Sequence, residues 1–300
     1  MTAHIIDGRE CARALKHTVA YEVKRLGEDG LHCGLATVMA GENYSATAYE
    51  RRLRRVCDEL EVPYWRHSLP ATASQRAVIA VIEKFNADPQ VTGILVLRPL
   101  PRDVHEPAVF RALSPLKDIE SVHPENAGLL ALGTPRYIPS TAASVFHLLD
   151  TWLDSMRESR TDFYHRSLVV VVGRSNNVGK PAVSIAYDRQ AAVESVDEWA
   201  SRTTGLGRHT RRADVLIVAA GQVGLIKAEH VNNGAVVIDV GINPVEAADG
   251  NTHMVGDVDF AAVSQRVRAI TPVPGGVGPV TDVWLIRNTV AAARKLRDVP

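Results

Sequence analysis

The sequence predicts an α/β protein built from two α/β domains. Short aliphatic runs alternate with amphipathic helical patterns at steps of about 30 residues, which is typical of mostly parallel sheets covered by helices. One continuous apolar run, residues 168–172, leads through a glycine-containing turn into another helical pattern. The chain has 300 residues, which is long enough for two separate cores. We place the first domain at residues 1–140 together with 280–300, and the second at residues 141–279.

Composition argues against several classes of protein. Lys plus Arg total 34, as do Asp plus Glu, so no net charge attracts nucleic acid or a membrane surface. No apolar run approaches the roughly 20 residues of a membrane span, and the N-terminus lacks the apolar core of a signal peptide. Cys11, Cys33 and Cys57 are scattered and lack metal spacing, which indicates reduced thiols. We therefore expect a cytoplasmic protein that holds no metal and binds neither nucleic acid nor membrane.

The first domain is predicted to alternate helices and strands. Apolar side chains recur at the helical period after Asp7, and Gly30 ends that pattern. The next strands are predicted at 33–40, 63–69 and 91–97, and the helices between them at 45–60 and 73–86. The last strand runs into the loop 98–101. Ligands bind outside the carboxyl ends of parallel strands, so this loop is a candidate wall of a substrate site.

The second domain is predicted to start with a helix at about 141–153, followed by a connector without periodicity at 155–166. The apolar run Leu168–Val172 indicates a strand buried on both faces. It ends in Gly-Arg-Ser-Asn-Asn-Val-Gly at 173–179, where backbone N–H groups and a helix start would hold a dinucleotide pyrophosphate. The spacing is an imperfect Rossmann-type fingerprint, so a plain strand–helix turn is the alternative.

A second predicted strand, 191–196, ends at Asp197. A carboxylate at this position can accept hydrogen bonds from an adenosine ribose and would repel a 2′-phosphate, which favours NAD over NADP. The alternative role for Asp197 is an ordinary helix cap. Arg174 and Arg202 favour NADP instead, because their positive charge would attract a 2′-phosphate. Further buried strands are predicted at 214–221 and 234–243.

The most unusual loop lies near the C-terminus. Residues 272–279 contain three prolines and three glycines and cannot form a regular element. Such a loop carries backbone strain, so we expect it to approach a ligand closely. The helix predicted at about 281–296 has apolar residues at the helical period and would pack back on the first domain.

Three segments together resemble one family. Gly-Arg-Ser-Asn-Asn-Val-Gly-Lys-Pro at 173–181, Val-Ile-Asp-Val-Gly-Ile-Asn at 237–243 and Thr-Pro-Val-Pro-Gly-Gly-Val-Gly-Pro-Val-Thr at 271–281 are similar to the methylenetetrahydrofolate dehydrogenase/methenyltetrahydrofolate cyclohydrolase (FolD) family. Ile-Ile-Asp-Gly at 5–8 and Lys-Asp at 117–118 fit as well, so the resemblance covers essentially the whole chain. It implies a tetrahydrofolate derivative as substrate of the first domain and NAD or NADP on the Rossmann-type second domain. It also implies a homodimer through the second domain, for which the strand at 191–196 is a candidate edge.

The candidate sites follow from the glycine turn and from this resemblance. The candidate dinucleotide-binding residues are Gly173, Arg174, Ser175, Val178, Gly179, Asp197 and Ile242. The candidate substrate-binding residues are Tyr49, Glu120, Pro274, Gly275, Gly276 and Val277, and the first two are also the candidate catalytic residues. The resemblance places the loop 274–277 along a folate cleft between the domains.

The first domain departs from the family pattern. The family carries Tyr-x-x-x-Lys on its second helix, with the tyrosine orienting the substrate and the lysine handling proton transfer. Here Tyr49 is present, but the lysine position is Leu53. The glutamine that supports the lysine is replaced by Leu97, followed by Arg98, and the aspartate that anchors the pterin is replaced by Glu120.

These departures affect hydrolysis more than hydride transfer. Arg52 and Arg54 flank the lysine position, but they point about 100° away around the helix and stay protonated, so neither is a proton shuttle. Hydride transfer depends mainly on positioning, whereas cyclohydrolysis needs general acid–base groups. We therefore expect a folate-dependent dehydrogenase without cyclohydrolase activity. The alternatives are an oxidoreductase for a different small substrate and a non-catalytic binding protein with the same fold.

Overall fold

The computed structural model describes residues 2–41, 43–246 and 252–298. The chain divides into two compact units. We call residues 1–13 with 141–281 the six-stranded unit, and residues 14–140 with 282–300 the three-stranded unit. Both units combine parallel strands with helices, as the sequence predicts.

The elements are numbered along the chain. The strands are β1 (His4–Ile5), β2 (Leu35–Ala40), β3 (Tyr64–Leu69), β4 (Gly93–Val96), β5 (Leu168–Val172), β6 (Ala192–Val196), β7 (Val215–Val218), β8 (Val236–Asp239), β9 (Asn243–Glu246), β10 (Thr252–Val255) and β11 (Ala269–Ile270). The helices are α1 (Gly8–Glu28), α2 (Tyr44–Glu59), α3 (Gln75–Ala87), α4 (Glu106–Arg111), α5 (Pro124–Ala131), α6 (Ser140–Ser155), α7 (Arg160–Arg166), α8 (Gly179–Asp188), α9 (Glu198–Thr204), α10 (Leu206–Thr210), α11 (Phe260–Val263) and α12 (Val277–Arg297).

The six-stranded unit is built on a parallel sheet with strand order β1-β11-β8-β7-β5-β6. β5 is buried on both faces, as its unbroken apolar run predicts. The chain passes from β5 to β6 on one side and then to β7 on the other. This reversal of strand order makes the carboxyl end of β5 a switch point, where open α/β sheets bind their ligands.

The three-stranded unit has the parallel order β3-β2-β4. β2 lies in the centre and all six of its residues are buried. The C-terminal part of α12 packs on this unit, where the Thr92 hydroxyl contacts the Thr289 carbonyl at 3.4 Å and the Asn288 amide donates to the Ile119 carbonyl at 2.8 Å. The predicted return of the last helix to the first domain is therefore confirmed.

The assignment of the first 13 residues to the first domain was wrong. β1 pairs in parallel with β11, His4 opposite Ala269, and Ala3 lies in the core of the six-stranded unit. A two-residue strand has no periodicity of its own, so its partner, more than 260 residues away, is not visible in the local pattern.

Two local predictions also differ from the structure. The stretch interpreted as a connector contains α7, which Ser159 caps by accepting a hydrogen bond from the Asp162 N–H. Phe163 and Tyr164 are buried on this short helix, which is too short to show a helical period in the sequence. The last helix begins at Val277, four residues earlier than predicted.

Candidate active site

The turn after β5 requires glycine at both ends. Gly173 has φ +111°, and a Cβ there would lie 2.1 Å from the Ala219 carbonyl oxygen at the end of β7. A Cβ on Gly179 would lie 2.1 Å from the Gly173 carbonyl oxygen. The turn is therefore folded tightly against the carboxyl edge of the sheet, which allows a ligand to approach its backbone closely.

The start of α8 fits a phosphate group. Val178 precedes the helix without a side-chain cap, and the Ser175 hydroxyl accepts from the N–H groups of Val178 and Gly179 at 3.2 and 3.4 Å. Asn177 Oδ1 is buried and has no hydrogen-bond partner among the described residues. A helix N-terminus attracts anions and the Ser175 hydroxyl can donate to one, so the start of α8 fits a dinucleotide pyrophosphate.

Arg174 and Asp197 form one ion pair at the end of β6. The Arg174 guanidinium donates to Asp197 Oδ2 at 2.7 Å and to the Ser195 carbonyl at 2.8 Å. The other carboxylate oxygen, Asp197 Oδ1, accepts the Ala200 N–H at 2.9 Å and caps α9. The alternative interpretation of Asp197 as a helix cap is thus confirmed, while its contact with a ribose stays a prediction.

A buried carboxylate that the sequence reasoning missed holds the neighbouring loops. Asp257 accepts the N–H groups of Ala220, Gly221 and Gln222 at 2.7–2.9 Å, and the Asn243 side-chain amide at 2.9 Å. It thereby ties the loop after β7 to the start of β9.

A second missed carboxylate, Asp239 at the end of β8, accepts the N–H groups of Gly241, Asp257 and Val258 at 2.9–3.1 Å. Burial raises its pKa to about 7. An acidic residue closing a fully apolar strand was the available signal for Asp239. Ile242 follows this segment and is exposed, and its contact with a dinucleotide stays a prediction.

The proline- and glycine-rich loop is held by the N-terminal segment. The Gly8 N–H donates to the Gly275 carbonyl at 2.9 Å, and a Cβ on Gly8 would lie 1.7 Å from the Gly276 carbonyl oxygen. Gly275 has φ +110°, a conformation that favours glycine. Gly275, Gly276 and Val277 are buried, and Pro274 is exposed. Their role in substrate binding stays a prediction.

In the three-stranded unit, Tyr49 lies on α2 among charged groups. Its pKa is raised well above the ordinary value by burial and by the negative charges of Asp282 and Glu120. The Arg52 guanidinium carbon lies 5.3 Å from the Tyr49 ring centroid. A phenol in this environment is even less ionised at neutral pH than that of a free tyrosine, so it supplies no phenolate to act as a base.

Glu120 is partly buried, and its Oε1 accepts the Ser140 N–H at 2.9 Å. Desolvation raises its pKa to about 7, and hydrogen bonds from Ser140 offset part of the effect. The Ser140 side chain also lowers the pKa of Tyr49, which places it beside the phenol. The two predicted catalytic residues therefore meet at the start of α6.

Lys117 and Asp118 position the loop that carries Glu120. The Lys117 ammonium donates to the carbonyls of Phe85, Asn86 and Asp88 at 2.7–3.0 Å, which satisfies the C-terminal end of α3. Asp118 is fully buried and accepts the N–H groups of the next turn. Both side chains are therefore engaged in holding this loop.

The two positions where the family has lysine and glutamine are apolar and buried. Leu53 has no exposed surface, and Leu97 is 4% exposed. The next residue, Arg98, pairs with Glu106 at 3.0 Å and lies 4.7 Å from the Phe110 ring centroid. Positions 53 and 97 therefore provide neither an amine nor an amide.

The structure thus groups the candidate residues in two sets. The turn 173–179, Asp197 and Ile242 belong to the six-stranded unit, as does the loop 274–277, whereas Tyr49 and Glu120 belong to the three-stranded unit. Among the described residues, no cluster of His, Cys, Asp and Glu could hold a metal ion. No helix in the described part of the chain is long and apolar enough to cross a membrane.

A glycine turn at the switch point of a parallel sheet, leading into a helix, defines a Rossmann-type dinucleotide-binding protein. Residues 139–297 match the family model for the tetrahydrofolate dehydrogenase/cyclohydrolase NAD(P)-binding domain, and residues 6–120 match the model for the catalytic domain. The chain belongs to the tetrahydrofolate dehydrogenase/cyclohydrolase family.

Individual relatives support this assignment. The chain is 57% identical over 298 residues to the bifunctional protein FolD 3 of Rubrobacter xylanophilus, covering 99% of this chain and 94% of that relative. Its structure is similar to the Trypanosoma brucei methylenetetrahydrofolate dehydrogenase-cyclohydrolase complexed with NADP and an inhibitor, with TM-score 0.89, 31% identity and 99% coverage of both chains. It is also similar to a methylenetetrahydrofolate dehydrogenase from Bombyx mori, with TM-score 0.87, 30% identity and 99% coverage of both chains.

Proposed function

We propose that this chain is an NAD(P)-dependent methylenetetrahydrofolate dehydrogenase that lacks cyclohydrolase activity. Family membership supports the dehydrogenase part. The observation that carries the second part is Leu53, a fully buried aliphatic side chain four residues after Tyr49, where the family resemblance leads us to expect the proton-transferring lysine.

In this proposal each unit supplies binding and orientation. The turn 173–179 and the start of α8 hold the dinucleotide, whose nicotinamide ring accepts a hydride when bound. Tyr49 orients the folate, and the Glu120 carboxylate accepts hydrogen bonds from the pterin ring. The loop 274–277 supplies further substrate-binding residues. Hydride transfer requires no side chain to gain or lose a proton, so it is sufficient that the folate and the dinucleotide are correctly positioned.

Hydrolysis needs a proton-transferring group in addition to binding and orientation. A water must be activated and a proton moved, which needs a group that changes its protonation state near neutral pH. Leu53 and Leu97 carry no ionisable atom, the pKa of Tyr49 is raised, and a guanidinium is not a proton shuttle. Glu120 has a pKa raised to about 7, but in this proposal its carboxylate is engaged with the pterin ring. The apolar side chain at position 53, where the family has lysine, therefore supports loss of hydrolysis with retention of hydride transfer.

The test is a titration of the purified protein with tetrahydrofolate and with each dinucleotide, followed by an assay of dinucleotide reduction on 5,10-methylenetetrahydrofolate. We expect folate binding and reduction of the dinucleotide. Dinucleotide binding without folate binding would favour an oxidoreductase for a different small substrate. Absence of any turnover with either substrate class would favour the non-catalytic binding protein.

We predict that NAD binds more tightly than NADP, and that Asp197→Ser reverses this preference. Serine keeps the cap on α9 but removes the carboxylate, so Arg174 loses its partner and becomes available to a 2′-phosphate. The expected change in the ratio of the two dissociation constants is at least about tenfold, or about 1.4 kcal/mol, by calorimetry.

The matched control for this change is Glu198→Ala, the adjacent carboxylate, which pairs with Arg202 on the exposed side of α9. This variant should leave the ratio of the NAD and NADP dissociation constants within about twofold of the wild-type ratio. A wild-type protein that binds NADP tenfold more tightly than NAD would reverse the assignment.

We also predict that the protein is a homodimer in the cytoplasm. β6 pairs with β5 and forms one edge of the six-stranded sheet, so its outer side offers unpaired backbone groups to a second copy. Cys11, Cys33 and Cys57 are buried free thiols, which suits a reducing compartment. Light scattering at micromolar concentration tests the dimer, and a monomeric mass would exclude it.

A further inference from the structure

Asp282 is a buried carboxylate beside the candidate catalytic residues that the sequence reasoning did not single out. It lies on α12, and its side chain is 8% exposed. Its Oδ2 accepts the Arg52 Nε–H at 3.2 Å. Its Oδ1 is buried and has no hydrogen-bond partner among the described residues. A half-satisfied buried carboxylate is costly for folding, so its presence requires an explanation.

Asp282, Arg52 and Tyr49 form one cluster, which we call the Asp282 cluster. Arg52 links the other two members, since its guanidinium also lies over the Tyr49 ring. Of all charges that act on the Tyr49 hydroxyl, Asp282 has the largest effect on its pKa, ahead of Glu120 and Arg52. Lys16 of α1 also acts on Asp282, but its ammonium pairs with Glu59.

The charges of the Asp282–Arg52 pair do not cancel at Tyr49. The Arg52 side chain is 45% exposed, so water screens much of its positive charge. Burial raises the pKa of the Asp282 carboxyl to about 6, so the group is mainly ionised at neutral pH, and its field is screened much less than that of Arg52. The surroundings of Tyr49 are therefore negative, whereas a lysine at position 53 would have made them more positive.

The dehydrogenase reaction changes the charge of its substrate. The C–H bond of the methylene bridge breaks, and both electrons leave with the hydrogen as a hydride to the oxidised dinucleotide, which is thereby reduced. The bridge carbon and its two nitrogens change from neutral to a delocalised cation. A fixed negative charge near the bridge stabilises this cation and the transition state that leads to it.

We propose that Asp282 is a specificity-determining residue of this chain, whose buried carboxylate favours the cationic methenyl form of the folate over the neutral forms. This inference rests on the proposed function, because it assumes that Tyr49 orients a folate. The effect acts through space, since Oδ1 has no exposed surface for direct contact. It also accords with loss of hydrolysis, because a stabilised methenyl cation is less reactive towards water.

The test compares the binding of two folates without any dinucleotide. Dissociation constants for 5,10-methenyltetrahydrofolate, the cation, and for tetrahydrofolate, which is neutral at the bridge, are measured for the wild type and for Asp282→Asn. Asparagine keeps the shape and removes the charge. We expect the cation to bind about tenfold more weakly to the variant, and the neutral folate to change by less than about twofold.

Two further variants make the result decisive. Asp282→Leu also removes the charge and avoids a buried polar group, so it should reproduce the change in ratio even if the asparagine variant folds poorly. Glu125→Gln removes a carboxylate that pairs with Arg136 in the same unit and should leave both constants unchanged.

The outcomes separate this inference from the proposed function. A wild type that binds both folates, with a ratio that stays the same in both Asp282 variants, overturns the role of Asp282 alone. Equal weakening of both folates would show a merely structural role and also overturns it. A wild type that binds neither folate overturns the proposed function, and this inference with it.

Discussion

The wild-type chain is expected to leave 5,10-methenyltetrahydrofolate unhydrolysed beyond the buffer-catalysed rate, and the double change Leu53→Lys with Leu97→Gln is expected to introduce hydrolysis. General acid–base groups contribute about 10²–10⁴-fold to a rate, and the double variant supplies an amine together with a polar neighbour. The assay is the loss of methenyltetrahydrofolate absorbance in the wild type and the variant.

The single variant Leu53→Lys is expected to gain little. Position 53 is fully buried, so an ammonium there without a hydrogen-bond partner pays a large desolvation cost or loses its proton. A lower melting temperature for this variant than for the double variant would show the same effect on folding.

The matched control is Leu53→Met with Leu97→Met, which conserves volume and adds no ionisable group. It should hydrolyse no faster than the wild type. Robust hydrolysis by the wild type would mean that Arg52, Arg98 or Glu120 performs the proton transfer, and the proposed loss of activity would be wrong.

Replacement of Asp257 by alanine is expected to have the largest effect on dinucleotide binding. Three backbone N–H groups and the Asn243 amide lose their acceptor, and the loop after β7 loses its anchor. Each buried donor left without an acceptor costs about 1–3 kcal/mol, so we expect a total loss of about 3–5 kcal/mol, which for a unit of this size lowers the melting temperature by about 6–20 °C.

The effect on binding follows from the same loop. Its first residue, Ala219, carries the carbonyl oxygen against which Gly173 packs, so displacement of the loop distorts the glycine turn. We expect the affinity for NAD and for NADP to fall by more than about tenfold in calorimetry. Asp259→Ala is the control, because Asp259 is exposed and caps the short helix α11, a contact worth about 1 kcal/mol. Wild-type affinity in Asp257→Ala would show that the loop keeps its position without the carboxylate.

Local sequence patterns predicted most of the fold. β5 is observed at the predicted residues because a run of five aliphatic side chains suits only an element buried on both faces. The glycine turn was recognisable because the backbone around Gly173 and Gly179 leaves no room for a side chain. Only glycine fits there, so the sequence shows this constraint directly. The replacement of the family lysine by Leu53 was likewise visible, because the sequence states directly which side chain is present.

Features that join distant segments were not visible in the sequence. The pairing of β1 with β11 corrected the domain assignment, and the Arg52–Asp282 pair joins residues 230 positions apart. Asp257 and Asp239 look like ordinary polar residues until the chain brings backbone N–H groups around them. A residue's type and its local period reveal which element it belongs to, but its burial and its partners depend on how the elements pack. The charges around Tyr49 are therefore a property of the folded chain.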